Sequence, residues 1–129
     1  MIVLDASVVI AHLAGADAHH ERATAFFREH SDVEFIVHAL TLTEILVGPM
    51  RMGRGDDAMR ALASLGIGES APPSGSAPRL AQLRVASGLK LPDCCVLDAA
   101  RESGHPLATF DTRLADAAAA LGVPVVTLG

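Results

Sequence analysis

The feature that most constrains the fold of this chain is the alternation of short apolar runs with longer amphipathic segments. The first run, Ile2-Val3-Leu4, precedes a helical pattern, and this order recurs to the end of the sequence. Strands are predicted at residues 2–4, 35–37, around 67, 107–110 and 125–128, and helices at 8–13, 18–30, 41–50, 56–65, 78–87, 93–103 and 112–121. Strands separated by helices favour βαβ units. We therefore expect an α/β fold whose short, mostly parallel sheet has helices on both faces.

Local signals suggest how two of the predicted helices begin and end. Ser7 is predicted to cap the first helix, and Thr41 or Thr43 to open the third, since hydroxyl side chains favour helix starts. The Gly48-Pro49 pair should bend or interrupt that third helix, because proline removes a helical N–H donor.

Composition narrows the possible classes of protein. A chain of 129 residues predicts one domain spanning 1–129, and its 50% hydrophobic content excludes a disordered chain. The net charge of −5 and the absence of Trp and Tyr argue against a basic nucleic-acid binder that stacks bases on those aromatic rings. No targeting or membrane segment is recognisable. The adjacent Cys94 and Cys95 predict two reduced thiols on a helix, as expected in the cytoplasm.

Four carboxylates follow predicted strands or begin the helices after them. Asp5 and Asp111 directly follow strands, while Glu44 and Asp93 lie near the start of helices. Each has a plain alternative: Asp93 and Asp111 fit helix caps or first turns, and Glu44 fits a capping box with Thr41. Ligands in open α/β sheets bind beyond the carboxyl ends of the strands. We therefore expect all four acids to converge at that edge.

Convergent carboxylates repel one another and raise each other's pKa values, and a divalent cation is the usual remedy. Ligation by oxygen alone suits Mg²⁺ or Mn²⁺, which keep several waters and bind substrate phosphate. Such a site performs phosphoryl chemistry.

Four segments in order resemble the PIN-domain ribonucleases, and among them the VapC toxins of bacterial toxin–antitoxin pairs. They are Ile2–Ile10, Thr43-Glu44-Ile45, Leu91-Pro92-Asp93 with Val96–Ala100, and Leu107–Leu114. The resemblance implies a three-layer α/β/α fold and cleavage of RNA dependent on Mg²⁺ or Mn²⁺. By resemblance, the metal-binding and catalytic acids are Asp5, Glu44, Asp93 and Asp111, supported by Ser7 and Thr109. It also implies a cognate antitoxin that inhibits the nuclease, and a homodimer or toxin–antitoxin hetero-oligomer.

Some charged residues fall outside that pattern. Asp98 stands where the family more often has a small or apolar residue, and we interpret it as a residue of a polar helix face. Asp116, five residues past Asp111, is interpreted in the same way, with a role in the site left open for both. The candidates for contact with RNA phosphates are Arg51, Arg54, Arg60, Arg84, Lys90 and Arg113.

Two other functions compete with a nuclease. One is a catalytically silent PIN-like domain that acts through a protein surface. The other is a phosphatase or phospho-receiver on a similar scaffold, which would need a lysine after a late strand. The only lysine, Lys90, precedes Pro92 and fits that role badly.

Overall fold

The computed structural model describes residues 1–128. The predicted domain also includes Gly129, which lies outside the described residues. The strands are β1 (Ile2–Leu4), β2 (Phe35–His38), β3 (Ile67–Ser70) and β4 (Leu107–Ala108). The helices are α1 (Ala6–Leu13), α2 (His20–Glu29), α3 (Ala39–Arg51), α4 (Gly55–Ser64), α5 (Ser76–Ser87), α6 (Leu91–Ser103) and α7 (Thr112–Ala120).

The four strands form one sheet in the order β3-β2-β1-β4, and every pairing is parallel. β1 lies inside the sheet, with Ile2 opposite Phe35 on one side and Val3 opposite Leu107 on the other. The prediction of an α/β fold with a short parallel sheet is confirmed. Because β1 is interior, the residue that follows it reaches the middle of the carboxyl edge.

Alternate side chains of β1 point into two separate cores, as the period of a strand requires. Ile2 and Leu4 pack with side chains from the first four helices, α1 to α4. Val3 packs on the opposite face with side chains from α5, α6 and α7. Helices therefore cover both faces, which confirms the three-layer arrangement. No helix within residues 1–128 has the length and apolar character needed to cross a membrane.

Two predicted helix starts are wrong. Asp5 occupies the N-cap position of α1, and Ser7 lies inside the first turn. His38 caps α3, because its ring Nδ1 accepts a hydrogen bond of 3.0 Å from the backbone N–H of Leu40. Gly48-Pro49 does not end this helix either, since α3 runs through Pro49 to Arg51. Pro49 has no N–H to donate to the carbonyl four residues earlier, so α3 lacks that one hydrogen bond near its C-terminus.

The last two predicted strands are shorter than expected. β4 stops at Ala108, and the segment around Val125 makes only a single parallel bridge to Leu107. Two backbone hydrogen bonds hold this bridge: Leu107 N–H donates to Pro124, and Val126 N–H donates to Leu107. The chain therefore leaves β4 early, so that residues 109–111 form a loop at the carboxyl edge.

The interpretation of Asp98 as a polar-face residue is wrong. Asp98 is buried and forms an ion pair with Arg79, whose Nε lies 2.8 Å from Asp98 Oδ1. Arg79 also donates to the backbone carbonyl of Ser74, so it joins α6 to the loop before α5. A buried carboxylate needs such a partner because burial of an unpaired charge is costly. Cys94 and Cys95 are free, buried thiols on α6, as predicted.

Candidate active site

Asp5 is a buried carboxylate held by two hydroxyl groups. Ser7 Oγ and Thr109 Oγ1 each donate a 2.7 Å hydrogen bond to Asp5 Oδ2. No hydrogen bond among residues 1–128 reaches Asp5 Oδ1. The two bonds therefore orient the carboxyl group and leave one of its oxygens available to another ligand.

The same two hydroxyls also fix the loop that follows β4. Ser7 Oγ accepts a hydrogen bond of 3.1 Å from Phe110 N–H, and Thr109 Oγ1 accepts one of 3.0 Å from Asp111 N–H. Each hydroxyl thus donates to Asp5 and accepts from the β4 loop. The Thr109 hydroxyl therefore bridges the carboxylate of Asp5 and the backbone of Asp111 directly.

Asp111 is the N-cap of α7, as one sequence interpretation expected. Its Oδ1 accepts hydrogen bonds from the backbone N–H groups of Arg113 and Leu114, at 2.9 and 3.3 Å. Both bonds use the same oxygen. Within the described part of the chain, Oδ2 accepts none, so capping leaves one oxygen of this carboxylate free.

Glu44 lies in the second turn of α3. The capping-box interpretation fails for it, because the N-cap of α3 is His38 rather than Thr41. Partial desolvation raises the pKa of Glu44, and the negative charges of Asp5 and Asp93 raise it further. The residue as a whole is exposed, so this desolvation is incomplete. Glu44 is therefore within electrostatic range of two of the other three acids.

Asp93 is the third residue of α6 and is half-buried. Burial raises the pKa of Asp93, as do the charges of Asp5 and Asp111, whereas Lys90 and Arg113 lower it. Asp93 therefore lies between the other acids and two cations. The helix N-terminus adds a favourable positive potential at this position.

Electrostatics and hydrogen bonds thus connect all four predicted acids at the carboxyl edge of the sheet. However, among the residues described, no group of three or more His, Cys, Asp or Glu side chains is arranged to hold a metal ion. Mg²⁺ sites commonly take one or two carboxylates and complete the shell with water and substrate phosphate. The free carboxylate oxygens fit that donor chemistry, and ligation by these four residues stays a prediction.

The predicted phosphate contacts fall into two groups. In the first group, Lys90 and Arg113 are close enough to Asp93 to lower its pKa. Arg54 belongs to the same group, because it lines a groove of about 560 Å³ together with Glu44. The others lie elsewhere or are engaged: Arg51 lines a different hollow, Arg60 pairs with Asp57, and Arg84 donates to the carbonyls of Gly88 and Leu89. Asp116 is exposed beside Arg113, in a second groove. The geometry therefore favours Lys90, Arg113 and Arg54 as the residues that contact RNA phosphates.

Sequence reasoning missed two residues beside Phe110. The His19 ring is stacked on the Phe110 ring, with centroids 4.5 Å apart and planes 8° apart. The Arg22 guanidinium carbon lies 5.1 Å from the centroid of Phe110. His19 and its neighbour His20 are both half-buried. No local signal pairs His19 or Arg22 with Phe110, which is distant in sequence. His12 is packed elsewhere, with its Nδ1 2.9 Å from Thr24 Oγ1.

An all-parallel sheet with carboxylates beyond its strand ends is typical of open α/β domains, a class of proteins that bind their ligands at that edge of the sheet. Comparison with family profiles gives a match to the PIN domain over residues 2–120. The chain therefore belongs to the PIN domain family. A comparison with curated proteins finds no match.

Solved structures of similar fold include three from bacteria. A toxin–antitoxin complex from Klebsiella pneumoniae aligns with a TM-score of 0.76 and 23% identity, over 100% of this chain and 98% of that one. FitAcB from Neisseria gonorrhoeae gives 0.74 and 21%, over 99% and 98%. VapC20 from Mycobacterium tuberculosis, a toxin that cleaves the sarcin–ricin loop, gives 0.71 and 17%, over 91% and 95%. At these identities the likeness establishes the shared fold.

Proposed function

We propose that this protein is an endoribonuclease, dependent on Mg²⁺ or Mn²⁺, that acts as the toxin of a type II toxin–antitoxin pair. The observation that carries the proposal is the connection of four carboxylates at the carboxyl edge of a PIN-domain sheet. A structural role, that of the N-cap of α7, accounts in part for the presence of Asp111. It does not account for Glu44 and Asp93, whose negative charges are kept near other negative charges at a cost in stability.

The side chains have separate tasks in this reaction. Ser7 and Thr109 orient the Asp5 carboxylate through Oδ2 and leave Oδ1 to act as the ligand. Lys90 and Arg113, which already offset the charge of Asp93, bind the phosphate group of the RNA. Asp5, Glu44, Asp93 and Asp111 would hold a divalent cation, which would supply Lewis acidity for hydrolysis of the phosphodiester.

Names of the structural relatives support the biological part of the proposal. The Klebsiella structure is a toxin–antitoxin complex, and VapC20 is a toxin that cleaves the sarcin–ricin loop. We infer an antitoxin protein as the partner of this chain and RNA as its substrate. A homodimer or a toxin–antitoxin hetero-oligomer is the expected assembly.

The experiment is RNA cleavage by the purified protein, with and without Mg²⁺ or Mn²⁺. We expect wild type to cut only with metal, and Asp93→Asn and Glu44→Gln to be inactive. Asp116→Asn is the matched control, because Asp116 is an exposed acid beside Arg113 but outside the set of four. It should cut like wild type.

A stability measurement separates loss of chemistry from loss of fold. The raised pKa values of Glu44 and Asp93 mean that their charged forms destabilise the native state. This penalty is absent below the unfolded pKa of about 4 and grows as pH rises through the folded pKa. Metal-free Asp93→Asn should therefore melt at a higher temperature than wild type at pH 7. Added Mg²⁺ should raise the melting temperature of wild type and have little effect on the variant.

Two results would count against the proposal. If Asp93→Asn and Glu44→Gln cut like wild type, the acids are not the catalytic groups. If wild type neither cuts RNA nor melts higher with either metal, the silent interaction domain becomes the better explanation.

A further inference from the structure

The side chains of Phe110, His19 and Arg22 form a small surface next to the candidate active site, which we name the Phe110 surface. We propose that it is a binding site for single-stranded RNA, in which a nucleobase stacks on His19 and a phosphate binds Arg22. This inference rests on the proposed ribonuclease function. It adds a substrate contact outside the four acids and outside the arginines that the sequence suggested.

The position of this surface is set by the active-site hydrogen bonds. Phe110 precedes Asp111, and its backbone N–H donates to Ser7 Oγ, which itself donates to Asp5. The Phe110 backbone is therefore fixed relative to two of the four acids. Because Phe110 is the residue before Asp111, with neighbouring Cα atoms about 3.8 Å apart, an RNA strand whose phosphate binds at those acids would have the Phe110 surface within reach of a neighbouring nucleotide.

The His19 ring offers a flat face in an ordered position. It lies parallel to the Phe110 ring at 4.5 Å, and its backbone N–H is bound to Asp17 Oδ1 at 2.8 Å. His19 is half-buried, and Phe110 is the aromatic ring stacked on it, so the proposal places the nucleobase on its opposite face. Stacking on planar side chains is how proteins bind single-stranded nucleic acid, because every base has a π-face.

Hydrogen bonding also determines which nitrogen of His19 is free. Arg22 Nη1 lies 3.1 Å from His19 Nδ1, and a guanidinium group can only donate. Nδ1 is therefore the acceptor, and in the neutral ring the proton is on Nε2. That N–H is available to an acceptor on the ribose or the base.

Arg22 supplies the positive charge that a phosphate needs here. It is exposed, and its Nε donates to the carbonyl of Leu128 at 3.1 Å, which holds the guanidinium in place. None of its hydrogen bonds within residues 1–128 uses Nη2. On a chain with a net charge of −5, an arginine held near the Phe110 ring is well placed to attract the RNA backbone.

The test measures binding of a labelled single-stranded RNA oligonucleotide in EDTA, where cleavage is absent, by fluorescence anisotropy at several salt concentrations. The variants are Arg22→Ala and His19→Ala. The matched controls are Arg28→Ala, at an exposed arginine of the same helix, and His30→Ala, at a half-buried histidine whose ring is tilted against that of Phe26. His19→Phe keeps a flat ring at this position, so it distinguishes loss of stacking from a folding defect in His19→Ala.

We expect both test variants to bind RNA about 5- to 30-fold more weakly, in the range that alanine replacement of a stacking group produces. Arg22→Ala should also lower the slope of log affinity against log salt by about 0.7, the value for one phosphate contact on a single strand. His19→Ala should leave that slope unchanged, and His19→Phe should recover most of the affinity. Arg28→Ala and His30→Ala should bind like wild type.

Two outcomes overturn the inference in different ways. If wild type binds and cuts RNA but Arg22→Ala and His19→Ala bind it equally well, the Phe110 surface serves packing alone, and the proposed function stands. If wild type does not bind RNA in EDTA, the inference fails, and the proposed function fails with it only if wild type also does not cut RNA in the presence of Mg²⁺ or Mn²⁺.

Discussion

Replacing Thr109 by valine tests whether the hydroxyls around Asp5 stabilise the fold. Valine has nearly the same shape but no hydroxyl, so Asp5 Oδ2 loses one donor and Asp111 N–H loses its acceptor. A hydrogen bond to a charged group contributes about 1.5–3 kcal/mol, and an unsatisfied donor costs about 1–3 kcal/mol. The added methyl group, in a buried position, returns about 0.8 kcal/mol. We expect a net loss of about 2–5 kcal/mol in the free energy of unfolding.

The assay is urea denaturation of the metal-free protein, with Thr109→Ser as the matched control. Serine keeps the hydroxyl and loses only a methyl group, so it should cost about 1 kcal/mol or less. At a denaturant dependence of about 1–3 kcal/mol per molar, valine should lower the urea midpoint by about 1 M or more. Equal losses for valine and serine would refute the reasoning, because the hydroxyl would then contribute nothing.

Three further predictions concern other groups of the fold. Asp111→Ala should destabilise the protein by about 1 kcal/mol through loss of the α7 cap, whereas Asp111→Asn, which can still accept both N–H bonds, should not; equal unfolding midpoints would contradict this. Burial raises the pKa of the Cys94 and Cys95 thiols, so iodoacetamide at pH 8 should label them slowly in the native protein and rapidly in urea; equal rates would mean they are accessible. Burial lowers the pKa of His38, an effect that Asp98 partly opposes. Below a pH of about 6.5 the unfolded chain therefore binds a proton at His38 more readily than the native state does, so the melting temperature should fall. The fall should be smaller in His38→Gln. A variant that loses as much stability as wild type would exclude His38 as the cause.

The parts of the fold that could be predicted depend on local patterns. A three-residue apolar run followed by Asp5 marks β1 and the carboxyl edge, because strand and acid are adjacent in sequence. Glycines with positive φ end α5 and α6 at Gly88 and Gly104, as the sequence indicated, because only glycine adopts that conformation at low cost. The alternation of elements then implies a parallel sheet, and with it the edge at which the acids meet.

The errors arise where a distant residue decides the local structure. Asp98 looks like a solvated helix residue until Arg79, on another helix, is known to approach it. Ser7 resembles a cap, but its hydroxyl instead binds Asp5, whose place as N-cap follows from the end of β1. The stacking of His19 on Phe110 joins residues with no shared local pattern. Contacts of this kind depend on tertiary packing, which propensity and periodicity do not encode.

The bond between Thr109 and Asp5 joins residues 104 positions apart, and β1 lies between β2 and a strand that begins at Leu107. During translation, Asp5, Glu44 and Asp93 are therefore all synthesised before Thr109, the second of the two residues whose hydroxyls orient Asp5. A nascent or prematurely terminated chain that ends before Leu107 has a β1 strand without one neighbour and an aspartate without its second hydroxyl donor. In this fold the surroundings of Asp5 are completed only when synthesis is nearly finished.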